Sequence, residues 1–312
     1  MQSPAWAQIK ADFGWKSDQL EFEGRQIIAY KRNIPGAGRL VYIPGLSDVS
    51  LDSKFSNFLK ATYKGKAFAV RLELNQAFNE ETLKSLLKDG WKLAKKHVQY
   101  RHTVTVDLTK PEDDIWMGFK SRGRYEVQQA QKLGVRIEEA DPNDANLEKM
   151  YGLMKLTSDR NKFFIRDSKF TTAYWEKFRE LGQLKLFFAW HEDDLLSGAV
   201  ILTNGSLAWY KDGGSTRTKS NLMAARLLQW EAMKVLKQAG ITTYDLGGVP
   251  SPTVQLESSM HGIYVFKTAY SKETTELMPT LELPLSKRYA LWTRVESHWL
   301  RVYNLLAHNL WW

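Results

Sequence analysis

Short apolar runs rich in β-branched and aromatic residues alternate along this chain with stretches whose apolar positions recur every three or four residues. The runs at 26–31 and 39–44 read as strands, and the turn at 33–38 joins them as a hairpin that Pro44-Gly45 breaks. Further strands are expected at 67–72, 103–108, 184–190, 196–203 and 206–211. The last two meet at Asn204-Gly205, a strong two-residue hairpin turn. Tyr244-Asp245-Leu246-Gly247-Gly248 reads as a strand ending on a glycine pair, and 261–267 as a short apolar strand with Lys267 at its tip. Helical spacing marks 52–64, 80–96 (Leu83, Leu86, Leu87, Trp91 and Ala94 on one face), 112–133, 144–157, 172–181 and 221–238. Ser3-Pro4 opens a short helix ending near Phe13. A last helix, 286–312, puts Leu291, Val295, Trp299, Val302 and Leu306 on one face. Packing on the first half is the default for that face, and lying on a membrane surface is the sharper alternative. Hairpin, glycine break and helix occur in both halves, at Gly45 and at Gly213-Gly214. The fold class expected is α+β, two copies of one unit with mixed sheets.

Composition narrows the function. The 312 residues suffice for two cores, and no apolar run is long enough for a spanning helix. The first residues lack a signal-peptide pattern, so a cytoplasmic location is expected. With no cysteine there is no thiol nucleophile or zinc–thiolate site. The six histidines show no metal-binding spacing, so metal catalysis is not expected. A net charge of +9 favours polyanionic partners, and twelve tryptophans suit ligand walls, nucleic-acid stacking faces or membrane interfaces. The basic stretch 112–133, capped by Gly134, fits either a solvated face or a surface laid along phosphates.

The segment from Gly213 through the helix at 221–238 sets free amides and a helix N-terminus beside the Gly247-Gly248 strand end, a place for an anionic acyl carrier. Coenzyme-A-dependent N-acyltransferases of the GNAT superfamily use an Arg/Gln-x-x-Gly-x-Gly/Ala loop there. Arg217 starts that pattern, but Ser220 and Leu222 stand where the glycines belong and would crowd a pyrophosphate.

Across nearly its whole length the chain resembles the Fem-type (FemA/FemB/FemX) peptidyltransferases. The resemblance rests on Ser3-Pro4-Ala5-Trp6, Tyr42-Ile43-Pro44 and the segment from Phe119-Lys120 to Gly134-Val135. It continues in Arg160-Asn161-x-Phe163, Arg166-Asp167-Ser168, Tyr244-Asp245-Leu246-Gly247-Gly248 and Gly262-Ile263-Tyr264-Val265-Phe266-Lys267. The family tyrosine four residues after the arginine is Phe170 here, and Tyr270-Ser271 replaces its Phe-Gly. No long helical hairpin interrupts the second half, which points to the compact FemX type. The resemblance implies two tandem GNAT-like domains, 1–134 with 278–312 on the acceptor side and 135–277 on the donor side. It implies a monomer that moves an amino acid from aminoacyl-tRNA, without a cofactor, to a peptidoglycan precursor, nucleotide- or lipid-linked. The acceptor would lie in a cleft between the domains, with peripheral contact at the inner membrane surface.

On this reading Lys267 stabilises the oxyanion and Asp107 takes or orients the amine proton. Arg166 and Arg160 hold the acceptor's phosphates, with Lys31 and Arg39 closing the site. Tyr210, Tyr264 and Phe266 are further substrate contacts, although in a strand Tyr264 and Phe266 face away from Lys267. Lys120, Arg122, Arg124, Arg217 and Lys219 are the cations expected to face RNA. A coenzyme-A-dependent N-acyltransferase and a non-catalytic RNA-binding module remain alternatives.

Overall fold

The computed structural model describes residues 1–47, 49–162, 165–251 and 258–307. Phe163 and the Leu306 side chain, both invoked above, and the Pro/Ser-containing residues 252–257 lie outside the described residues. The chain forms two compact units, Met1–Arg101 with Glu276–Trp312, and His102–Thr275.

In chain order the first unit contains α1 (Pro4–Asp12), β1 (Lys16–Phe22), β2 (Arg25–Ile34), β3 (Gly38–Leu46), α2 (Ser53–Tyr63), β4 (Ala69–Leu74), α3 (Glu80–Lys88) and β5 (Lys92–Leu93). The second comprises β6 (His102–Asp107), α4 (Glu112–Gly118), α5 (Ser121–Lys132), β7 (Arg136–Ala140), α6 (Asp144–Asn161), α7 (Ser168–Glu180) and β8 (Leu184–His191). It continues with β9 (Asp194–Asn204), β10 (Leu207–Ser215), α8 (Ala224–Gln238), β11 (Thr243–Val249), α9 (Ser258–Lys267) and the edge pair β12 (Thr275–Glu276). β13 (Leu281–Pro284) and α10 (Arg288–Ala307) return to the first unit.

The first sheet has the order β1-β2-β3-β4-β13-β5 and the second β12-β6-β11-β10-β9-β8-β7. Both are mixed in the same way. The antiparallel hairpin β2–β3 leads through α2 to β4, parallel to β3, just as β9–β10 leads through α8 to β11, parallel to β10. This is the doubled α+β unit that the two glycine-broken hairpins suggested. Each sheet carries its own apolar core, Ile27, Val41, Phe55, Leu72 and Leu281 among the first and Val104, Phe119, Ala199, Leu227 and Leu246 among the second.

Several expectations are corrected. The helix expected over 80–96 stops at Lys88, because Gly90 takes φ +97° and Trp91 turns into the core, its Nε1 donating to Ser56 Oγ at 3.0 Å. The helix expected over 112–133 is two. Phe119 and Lys120 are extended, Phe119 is buried edge-on to Trp230 and Tyr270, and Lys120 N donates to Ala269 O at 2.9 Å. Gly45 does not end β3 but sits in a bulge between Ile43 and Leu46 with φ +61°. β1, a largely polar strand at the sheet edge, had no apolar signal. Residues 102–134 belong to the second unit, since β6 pairs with β11 and α5 packs on α8.

The inward face of α10 is also different. It consists of Tyr289, Trp292, Glu296, Trp299 and Tyr303, while Leu291, Val295 and Val302 are exposed. The Glu296 carboxylate turns inward to meet Arg71, and the large rings follow it.

Candidate active site

The site is built by two strands that part. β10 and β11 pair only at Leu207↔Thr243, Ala208↔Tyr244 and Trp209↔Asp245, although they run on to Ser215 and Val249. β10 carries a bulge between Tyr210 and Asp212. β11 slips register with β6 between Asp245 and Gly248, where Gly247 takes φ +79°. Asp245 holds that kink, accepting from Gly247 N at 2.7 Å and Thr103 Oγ1 at 2.5 Å. Beyond the split lies a cavity of about 520 Å³, lined by Arg160, Tyr210, Lys211, Asp212, Gly213, Gly214, Phe266 and Lys267 among others.

Residues 262–267 reach this cavity as the end of helix α9, not as a strand. Their β-branched and aromatic composition favours a strand, but context overrides it. Arg226 of α8 donates to the carbonyls of Phe266 and Val265, which a strand would offer to its neighbour, and Glu126 pairs with Arg226 at 2.7 Å. The helix puts Phe266 beside Lys267 on the cavity wall and turns Tyr264 into the core packing.

Lys267 Nζ donates to Gly248 O at 3.0 Å and lies 5.9 Å from the centre of the Tyr210 ring. Burial pulls this ammonium down to about 8; Asp245 opposes the shift and Lys211 adds to it. Burial raises the Asp245 carboxyl, against its Thr103 and Gly247 hydrogen bonds and the Lys267 charge. A desolvated cation at the end of a cavity is suited to meet negative charge that develops during a reaction.

The β10 wall supplies residues that sequence reasoning missed. Asp212 accepts from Tyr174 OH and from Trp175 Nε1 at 3.0 Å, and Lys211 lies 3.6 Å from it. The Lys211 ammonium rests over the rings of Tyr174 (4.9 Å) and Trp209 (5.4 Å). Asp212-Gly213-Gly214 continues the strand instead of breaking it, and paired glycines inside a strand were the available signal for a bulge and a close approach. A Cβ on Gly213 would fall 1.6 Å from Tyr210 OH, and one on Gly214 would meet the backbone of α6 at 2.5 Å. Gly213→Ala is therefore expected to keep the fold but evict the Tyr210 ring, lowering kcat about tenfold to a hundredfold. Unchanged kcat with a native circular dichroism spectrum would refute it.

The other predicted residues are scattered. Arg160 lines the cavity and donates to Ser215 O at 2.8 Å; burial, then the charge of Arg217, lowers its pKa. Arg166 lies over the Phe170 ring at 4.3 Å. Asp107 pairs with Thr243 at the opposite end of β11 from Gly248, and its carboxylate accepts from Thr109 N at 3.0 Å, so it takes no part in the cavity. Lys31 is paired with Asp18, and Arg39 Nε bonds Asn33 Oδ1 at 3.4 Å, both within the first unit. Of the five cations expected to face RNA, Lys219 is engaged by Glu192 at 2.6 Å and Asp194 at 2.9 Å, and Arg124 by the Phe119 carbonyl. Lys120 reaches Thr268 Oγ1 at 3.0 Å, Arg122 pairs with Glu126 yet stays largely exposed, and Arg217 is exposed.

Residues 118–267, which hold the split strands and Lys267, match the family described as Acetyltransferase (GNAT) domain. With the doubled sheet, this defines a transferase built on tandem GNAT-like units. The chain is 22% identical over 378 residues to the Lipid II:glycine glycyltransferase of Staphylococcus haemolyticus (strain JCSC1435), covering 92% of this chain and 88% of that one. The enzyme of the same name from Staphylococcus aureus (strain MRSA252) is 22% identical over 374 residues, with the same coverage. The crystal structure of FemX superposes with a TM-score of 0.82 at 20% identity, covering 95% of this chain and 94% of that one. L-PGS from Bacillus licheniformis gives a TM-score of 0.56 at 12% identity, with 91% and 88% covered. Along nearly its whole length the chain is thus similar to these glycyltransferases, and it shares the fold of FemX.

Proposed function

We propose that this transferase moves an amino acid from aminoacyl-tRNA to the stem-peptide amine of a peptidoglycan precursor, at the cytoplasmic face of the membrane. The observation that carries the reading is Lys267, a desolvated ammonium at the parted strand ends. The amine attacks the ester carbonyl, the C–N bond forms, the C–O bond breaks, and the ribose hydroxyl leaves with the amine's proton. The ester is already activated, so orientation and stabilisation of the tetrahedral oxyanion suffice. Lys267 meets the oxyanion, and Tyr210 and Phe266 shape the wall around it. Arg160 and Arg166 take phosphate oxygens of the acceptor, a role guanidinium forks fit well. Lys120, Arg122 and Arg217, with the exposed Tyr125, form the RNA-facing surface.

The coenzyme-A reading draws on the GNAT match over 118–267. Against it, Ser220 and the buried Leu222 stand where a pyrophosphate needs glycine amides. The test is a panel of charged tRNAs and acetyl-CoA offered with nucleotide-linked and lipid-linked precursors, read by mass spectrometry. Product is expected only with charged tRNA. Its binding should weaken with salt at a log–log slope of about −2, about −0.7 for each of the three cations. Acyl transfer from acetyl-CoA alone would overturn the proposal.

A further inference from the structure

We propose that the outward face of α10 is a docking surface for an anionic lipid bilayer. At about 100° per residue, Leu291, Val295 and Val302 fall within about 40° of one another and form a stripe about 16 Å long. They are 52%, 40% and 40% exposed. Lys287, Arg294 and Arg301 form the adjoining stripe and Arg288 borders the other side, all exposed. The single carboxylate of α10, Glu296, points inward to Arg71. Among the described residues none of the four cations is in an ion pair. The surface is thus apolar and cationic with no exposed acid.

That chemistry selects the occupant. A second copy of this chain would bring these arginines against the same arginines. An RNA backbone would satisfy the cations but leave the leucine and valines in water. A bilayer interface rich in acidic phospholipids accepts both, the apolar stripe at the acyl boundary and the cations among the headgroup phosphates. No described helix is long and apolar enough to cross a membrane, so α10 lies flat on the surface.

The full chain is floated with phosphatidylcholine vesicles with and without phosphatidylglycerol. Flotation is expected only with the acidic lipid and should fall with added salt. Arg294→Gln with Arg301→Gln should weaken partitioning about 25-fold. Leu291→Asn with Val295→Asn should abolish it, with the thermal midpoint unchanged because all four positions are exposed. Equal flotation on neutral and acidic vesicles, or wild-type partitioning by the arginine pair, overturns the proposal. So does a concentration-dependent dimer in sedimentation velocity that the Leu291/Val295 pair loses, which would assign the stripe to a second copy. The vesicles hold neither RNA nor precursor, so this result stands or falls apart from the transfer reaction.

Discussion

Replacing Lys267 by alanine is expected to lower kcat by about 10²–10³-fold, the usual cost of losing one donor to a developing oxyanion. Substrate binding should change little, since the charge it answers appears mainly in the transition state. The pH profile carries a second signature. The ammonium's pKa is depressed to about 8, so wild-type turnover should be level below that value and fall tenfold per pH unit above it. Stability should move in the opposite direction. A lysine whose folded pKa lies below its unfolded 10.5 costs the fold free energy while it is charged, and that cost disappears between about pH 8 and 10.5. Lys267→Met is therefore expected to melt no lower than wild type at pH 7, with any advantage shrinking as pH rises toward 10.5. A purely structural lysine would behave differently, losing stability and activity together. Turnover within threefold of wild type in the alanine variant would remove Lys267 from the chemistry.

The hairpins and the doubling were legible because they rest on local signals: the turn at 33–38, Asn204-Gly205 and apolar runs of strand length. Lys267, Tyr210 and Arg160, named from the sequence, line one cavity, and Phe266 joins them only because 262–267 is helical. The misses share a cause. Whether residues 262–267 are helix or strand is decided by Arg226, some forty residues upstream, because it takes the Val265 and Phe266 carbonyls. The Phe119–Lys120 break is decided by Ala269 in the same way. Asp107 looked well placed at a strand end, but it is the end away from the split, and only the register Asp107↔Thr243 reveals that. Lys211 enters the site through a bulge, which shifts it out of the alternation a regular strand would impose. On α10 an amphipathic pattern offers two faces, and what chose between them was a partner on β4.

That partner makes the first unit's stability testable. Arg71 is fully buried and its Nη2 reaches Glu282 Oε1 and Glu296 Oε1, both at 2.5 Å, while Tyr289 OH donates to Glu282 Oε2 at 3.0 Å. One cation thus serves two carboxylates that are themselves out of water. Arg71→Ala would leave both uncompensated, and is expected to cost about 3–5 kcal/mol in urea unfolding. Glu296→Gln should cost much less, because the triad carries more negative charge than positive and the amide removes the excess while keeping an acceptor toward Arg71. The pH dependence separates the two cases. Burial, partly offset by Arg71, raises the Glu296 pKa above its ordinary value, so the folded chain binds this proton more tightly than the unfolded one. Stability from this group is full below the ordinary glutamate range and is lost as pH climbs through the raised value. Glu296→Gln should abolish that decline. If Arg71→Ala proves no more damaging than Glu296→Gln, the helix is held by its aromatic face alone, and the buried charges are incidental to where α10 lies.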